Sequence, residues 1–214
     1  GIKSVLAAFG LGNGPSFEVS VVQARFPRTI FGILAGAALA ISGGLMQSLT
    51  RNPIADPSIL GVNTGASLFV VMGIAFLNIG SKWQYIWLAF AGAAITALFV
   101  YGLASMGGGG ATPIKLPLSG AAASIALQSL VNVIMLPKNN VMDTFRFWQT
   151  GSIGGATWQD IAYLGPFLAI GFIFALVLSS SLNTLALGDD VATGLGINVV
   201  LIRGLAALAG VLLC

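Results

Sequence analysis

"LTRNPIADPSILGVNTGAS", Leu49 to Ser67, sets Arg51, Asn52, Pro53, Asp56 and Pro57 between two of the most apolar runs in the chain. Pro53 and Pro57 lack an amide proton, and each disfavours helix at the residue before it, Asn52 and Asp56. Two such constraints four residues apart predict a compact, non-helical connection. Asp56 is then the expected N-cap, with Pro57 at the first helical position of the next run. Ending a helix needs one proline. Two of them, with an arginine and an asparagine, are more than a well-made interhelical turn requires.

The runs on either side decide the class of protein. The 214 residues are 57% hydrophobic and 7% charged, against about 25% charged in a soluble domain. Such a chain cannot clothe a water-facing surface, so its solvent is mostly lipid. Candidate spans cover roughly 29–50, 58–80, 83–106, 116–136 and 158–181, with a last apolar run from about 199 to the end. Each full run approaches the ~20 residues that cross a bilayer core. Backbone groups in hydrocarbon must pair within their own segment, so the runs are expected to be helices and the fold an all-α, polytopic transmembrane bundle. The chain opens at Gly1 without Met, and its last run stops at Cys214, short of a crossing. It is therefore expected to be an excerpt of a larger membrane protein, with residues 1–214 as one transmembrane domain truncated at both ends.

Several functions are excluded by what is missing. The formal net charge of +3 is spread over nine scattered basic residues, which does not suggest nucleic acid. One cysteine rules out an internal disulfide, and the lack of any histidine removes a His-based triad or zinc site. None of the four lysines follows a glycine, so there is no phosphate-binding loop. No cofactor, metal or catalytic residue is expected here, and any ATP and Mg chemistry must belong to another chain. Charges sit at the ends and connections: Arg25, Arg28, Arg51, Asp56, Lys82, Lys115, Lys138, Asp143, Arg146, Asp160, Asp189, Asp190 and Arg203. Ion-coupled carriers need acids or histidines inside the membrane as relays, and the span interiors offer none. If this protein moves something, the energy comes from outside the chain.

Within the spans, small and polar residues form patterns. Gly32, Gly36, Ala40 and Gly44 recur every four residues, and Gly61 and Gly65 repeat the spacing. On helices these line one face and let another backbone approach closely; packing and substrate lining both remain open. Ser124, Gln128 and Asn132 at i, i+4 and i+8 form a polar stripe, either interhelical glue or a pathway lining, and Gln47 poses the same choice. "PKNNVMDTFRFWQTGSIGGATWQ" is too polar to span. It has room for a surface helix near Asp143–Gln149, with Trp148 and Trp158 as interfacial anchors. Gly107–Gly110 is a connection with no phosphate-loop spacing. "LNTLALGDDVATGLGINVV" reads as a short apolar turn (Leu182, Leu185, Leu187), a break at Gly188, and a second short helix ending at Gly194 and Gly196. Asp189 and Asp190 fall where a helix N-terminus favours negative charge. The pair would form a protruding knob, either an ordinary loop or a docking element.

Three stretches, in order, resemble a known family. "RFPRTIFGILAGAALAISGGLMQSLTRNPIADPSILGVNTGAS" (Arg25–Ser67) looks like the signature of the permeases of iron-siderophore, haem and cobalamin importers of the ABC superfamily. "FWQTGSIGGATW" (Phe147–Trp158) and "LALGDDVATGLGINV" (Leu185–Val199) resemble the segment before that family's next span and its coupling loop. The resemblance implies about six of ten spans, paired with a second permease, identical or paralogous, around a central pathway. It implies a cytoplasmic gate at Asn52, Pro53 and Ile54, and a pathway lining at Ser124, Gln128 and Asn132. From the residues alone, Gln47 is a further lining candidate and Gly32, Gly36, Gly44, Gly61 and Gly65 are helix-packing candidates. A coupling loop at Leu185, Leu187, Gly188, Asp189, Ala192, Leu195 and Gly196 would dock on an ABC ATPase subunit. A periplasmic or lipid-anchored substrate-binding protein would dock on the outer side, with Arg25, Arg28 and Asp143–Arg146. That orientation puts more Lys and Arg outside than the positive-inside tendency favours, so it rests on the resemblance. The expected function is the membrane-spanning subunit, in the cell's inner membrane, of an importer of a ferric siderophore or related metal chelate. An ion-coupled carrier and a purely structural membrane subunit are the alternatives.

Overall fold

The computed structural model describes residues 6–7, 16–106, 111–112 and 114–214. Among them are eight α-helices and no strand: α1 (Ser16–Thr50), α2 (Val62–Leu77), α3 (Lys82–Ser105), α4 (Lys115–Met135), α5 (Asn139–Thr150), α6 (Trp158–Ala186), α7 (Asp189–Gly194) and α8 (Val199–Leu213). Single 3-10 turns lie at Pro57–Leu60 and Ile153–Gly155. The glycine run 107–110 falls outside the described residues. Helices α1, α3, α4 and α6 are each long and apolar enough to cross a membrane. The two shorter ones, α2 and α8, are apolar; α2, with 16 residues, measures about 24 Å against a hydrocarbon core of about 30 Å.

The chain divides into two compact units, residues 1–37 with 151–166, and residues 38–150 with 167–214. In the first unit, α1 begins well before residue 29, where the sequence placed its start. It runs through Pro27, which is buried. A proline is tolerated inside a helix in an apolar setting, where neighbouring groups can take up the carbonyl it leaves without a donor; two residues on, the Thr29 hydroxyl donates to the Arg25 carbonyl at 3.1 Å.

The second unit holds the core. One cluster joins Leu45, Met46 and Leu49 of α1 to Val100 of α3, Leu116 of α4, Leu182 of α6 and Ala206 of α8. A second joins Val70 and Val71 of α2 to Val131 of α4 and Phe145 of α5. Large apolar side chains also point outward, among them Leu98 (73% exposed), Ile125 (71%) and Leu176 (75%), as expected when the surroundings are as apolar as the core.

Local chemistry fixes the helix ends. Ser81 accepts from the Gln84 amide at 3.3 Å and Gln84 Oε1 accepts from the Ser81 amide at 3.2 Å, a capping box that starts α3. Lys138 Nζ donates to the Ala75 carbonyl at 3.1 Å, a cation at the C-terminal end of α2. The surface helix α5 is longer at both ends than Asp143–Gln149. Its Trp148 is half-buried, 5.6 Å from Phe145 between ring centroids. Trp158, 57% exposed, opens α6.

Candidate functional site

The Leu49–Ser67 stretch folds as a fixed turn. α1 ends at Thr50, Arg51 takes a left-handed conformation (φ 51), and the Asn52 amide donates back to the Gln47 carbonyl at 3.2 Å. That bond closes the helix as a Schellman-type cap. Asn52 Oδ1 accepts from the Ile54 amide at 3.1 Å and its carbonyl accepts from the Ala55 amide at 3.1 Å. Ala55 is buried while Pro53 and Ile54 stand out, Ile54 at 85% exposure. Asp56 caps the next turn as its sequence predicts, accepting from the Ser58 amide at 2.7 Å with Pro57 at the first position. That turn is 3-10, however, and stops at Gly61 (φ 67) before α2 begins at Val62. The run 58–80 is thus two elements joined by a left-handed glycine.

The turn is seated on α4. A Cβ added at Gly120 would lie 1.6 Å from the Ile59 carbonyl oxygen, so only glycine admits this contact. One turn further on, the Ser124 hydroxyl would lie 3.1 Å from a Cβ on Gly61. Ser124 is therefore half-buried against the turn, whereas Gln128 and Asn132 are exposed and bonded to each other, Gln128 Nε2 donating to Asn132 Oδ1 at 3.2 Å. Gln47 is exposed in the last turn of α1.

The glycines separate by location. A Cβ on Gly65 would meet Thr96 Oγ1 at 2.1 Å and the Gly92 carbonyl at 2.6 Å, which makes it the crossing point of α2 and α3. Gly32 has only Ile153 at 3.9 Å, and Gly36 and Gly44 have no neighbour within 4 Å among the described residues. Gly44 instead lines a shallow groove of about 290 Å³ with Ile41, Ser48, Ser179 and Asn183. Gly92 and Gly120, the partners in the tight contacts, were not singled out from sequence; small residues inside apolar spans were the only signal.

The knob also differs from its expected form. Leu182 and Leu185 do not begin a separate short helix: α6 continues unbroken to Ala186, and both leucines are buried in the core. Gly188 (φ 122) makes the break, and α7 carries Asp189 and Asp190 in its first turn. Gly196 (φ 82) follows, with the Ile197 amide donating to the Ala192 carbonyl at 2.9 Å. Ala192 is fully buried. Leu187 (69%), Val191 (47%) and Leu195 (67%) are exposed apolar side chains just before, within and just after α7. Val191 was not among the sequence candidates.

Arg203 is a further correction. It lies inside α8, not in a connection, and is 7% exposed. Its Nη2 donates to Asp189 Oδ1 at 3.0 Å and its Nη1 to the Ala111 carbonyl at 3.1 Å. Arg51 Nη2 donates to the same Asp189 oxygen and to the Leu185 carbonyl. The arrangement offers no covalent chemistry. It supplies a hydrogen-bonded turn holding one apolar side chain outward, a polar stripe, and a knob tied by charge to Arg51 beside the turn and to Arg203 of α8.

Comparison with known proteins agrees with this architecture. The chain is 44% identical over 196 residues to the Fe(3+)-citrate import system permease protein YfmD of Bacillus subtilis, covering 92% of this chain and 58% of that protein. It is 43% identical over 212 residues to the ferric enterobactin transport system permease protein FepD of Escherichia coli, covering 98% and 63%. The chain thus spans about three-fifths of the length of these relatives. A solved structure of an inward-facing conformation of a metal-chelate type ABC transporter superposes with a TM-score of 0.76 at 25% identity, covering 99% of this chain and 70% of that one. The sequence profile of the FecCD transport family matches residues 1–214, and the chain belongs to that family.

Proposed function

We propose that this chain is part of the membrane-spanning permease of an ABC importer that carries a ferric siderophore or related large metal chelate across the cell's inner membrane. Hydrolysis of ATP with Mg takes place on separate ATPase subunits, a second permease copy or paralogue completes the pathway, and a substrate-binding protein delivers the cargo. The relatives, named for import of ferric citrate and ferric enterobactin, support the substrate class. The observation that carries the mechanism is the exposure of three apolar side chains, Leu187, Val191 and Leu195, on the knob between α6 and α8. These side chains lie on the connection between two apolar helices, not on a span, and exposed apolar groups in such a place mark protein interfaces.

In this reading the knob seats on the ATPase, the Asn52–Ile54 turn forms the inner gate, and Gln47 with the Ser124–Gln128–Asn132 stripe lines the way to it. ATP binding shifts the permease between outward- and inward-open states only through its different affinity for the two. The test is reconstitution of the full-length permease with its ATPase and binding protein, with Leu187, Val191 and Leu195 changed together to Ser. These side chains are exposed, so the fold should persist while stimulated ATP hydrolysis and ferric-chelate uptake are lost. Uptake by the permease without any ATPase would refute the reading, as would stimulation that survives the triple change.

A further inference from the structure

Asp189 belongs to the expected docking knob, yet its carboxylate, 41% exposed, pairs with two arginines from two other elements. Arg51 follows α1 and immediately precedes the Asn52–Ile54 turn; Arg203 lies in α8. Both donate to Asp189 Oδ1. Arg51 also donates to the Leu185 carbonyl in the last turn of α6. Its guanidinium therefore straddles the α6–α7 break at Gly188, whose φ of 122 only glycine adopts readily. On one side it meets a helix C-terminus, on the other an aspartate in a first turn, each the favourable sign for its dipole.

Two observations separate this cluster from a casual surface ion pair. Arg203 is 7% exposed within an apolar helix, and a buried guanidinium is tolerated only with a partner. Asp189 is that partner, joined by the Ala111 carbonyl. Arg51 sits at φ 51, a left-handed position ordinarily given to glycine at a helix end. Such conformations persist when the surroundings over-determine them, and here the side chain's two acceptors do so.

We infer that Arg51, Asp189 and Arg203 form an ionic latch across the Gly188 hinge. The knob cannot tilt on that hinge without pulling on Arg51, and through it on the gate turn one residue away. Asp189 and Arg51 are then positioning residues that transmit motion. The latch as a transmission device rests on the importer reading; its existence as a mechanical link does not.

The test uses the full-length permease in lipid nanodiscs, without partner or ligand. Hydrogen exchange is followed at the Ala192, Leu195 and Ile197 amides, which are bonded within and just after the knob. Arg51→Gln removes both charge-assisted bonds of Arg51, to Asp189 and to the Leu185 carbonyl, leaves the Arg203–Asp189 pair intact, and should speed that exchange about tenfold. Arg51→Lys should restore most of the protection. Asp56→Ala loosens the same loop without touching the latch and should leave knob exchange unchanged. Equal exchange in Arg51→Gln and parent overturns the proposal, and so does acceleration of the same size in Asp56→Ala. A second arm adds the ATPase and binding protein: Arg51→Gln should keep basal hydrolysis while stimulation falls about tenfold. An unchanged ratio would overturn the transmission role. A parent permease that binds no ATPase would refute the importer reading alone and leave the exchange comparison standing.

Discussion

Gly120→Ala is the most demanding single change this fold allows. The new methyl would sit 1.6 Å from the Ile59 carbonyl oxygen, where ordinary contact begins at 3.4 Å, so α4 and the Pro57–Leu60 turn must part by about 1.8 Å. Two backbones are involved, and no rotamer change can relieve the clash. Parting them strips contact from Leu60 and Leu116, which are 2% and 1% exposed. Overpacking typically costs about 1–3 kcal/mol and more where the neighbour cannot yield, whereas alanine gains about 1 kcal/mol over glycine in a helix. The net loss should be about 2 kcal/mol or more, roughly a thirtyfold shift in the folded ratio. Reversible unfolding of the full-length protein in mixed micelles measures it. The obstructing atom is backbone, so adding Ile59→Ala should give no rescue. A Gly120→Ala protein as stable as the parent, or rescued by Ile59→Ala, would show that the turn does not rest on α4 as described.

Other outcomes follow from the same geometry. Gly65→Ala should also destabilise, and Thr96→Gly should recover part of the loss, because two of the three nearest atoms belong to the Thr96 side chain; strict additivity in a double-mutant cycle would count against the contact. Ser81→Ala removes one side of the α3 capping box and should lower stability by about 1 kcal/mol, read in the same unfolding assay. Gln128→Leu and Asn132→Leu alter exposed side chains, so stability should move by no more than about 0.5 kcal/mol while ferric-chelate uptake falls in reconstituted vesicles. Parental uptake in both would remove the stripe from the pathway.

The polar stripe and the glycines show how far a sequence pattern reaches. Four-residue spacing correctly puts Gly32, Gly36 and Gly44 on one helix, but spacing carries no information about what lies opposite. Gly65 meets Gly92 and Thr96 at distances that forbid any side chain, while Gly36 and Gly44 meet nothing within 4 Å in the described residues. Likewise Leu185 and Leu187 look equivalent in a coupling loop, yet one is 2% exposed and the other 69%.

The sequence by itself determined the class: too few charges to face water, apolar runs long enough to cross lipid, and two prolines that break the chain after Thr50. These are local or summed properties, decided by backbone hydrogen bonding and the apolar environment, and periodicity reads them directly. Only the tertiary structure decided that Asp189 answers to Arg51 and Arg203. It alone decided that Gly120 receives the Pro57–Leu60 turn, and that the knob shows Leu187, Val191 and Leu195 to its surroundings. Arg51 and Asp189 lie 138 residues apart. Pairings at that distance are set by how helices pack, and no local pattern encodes them.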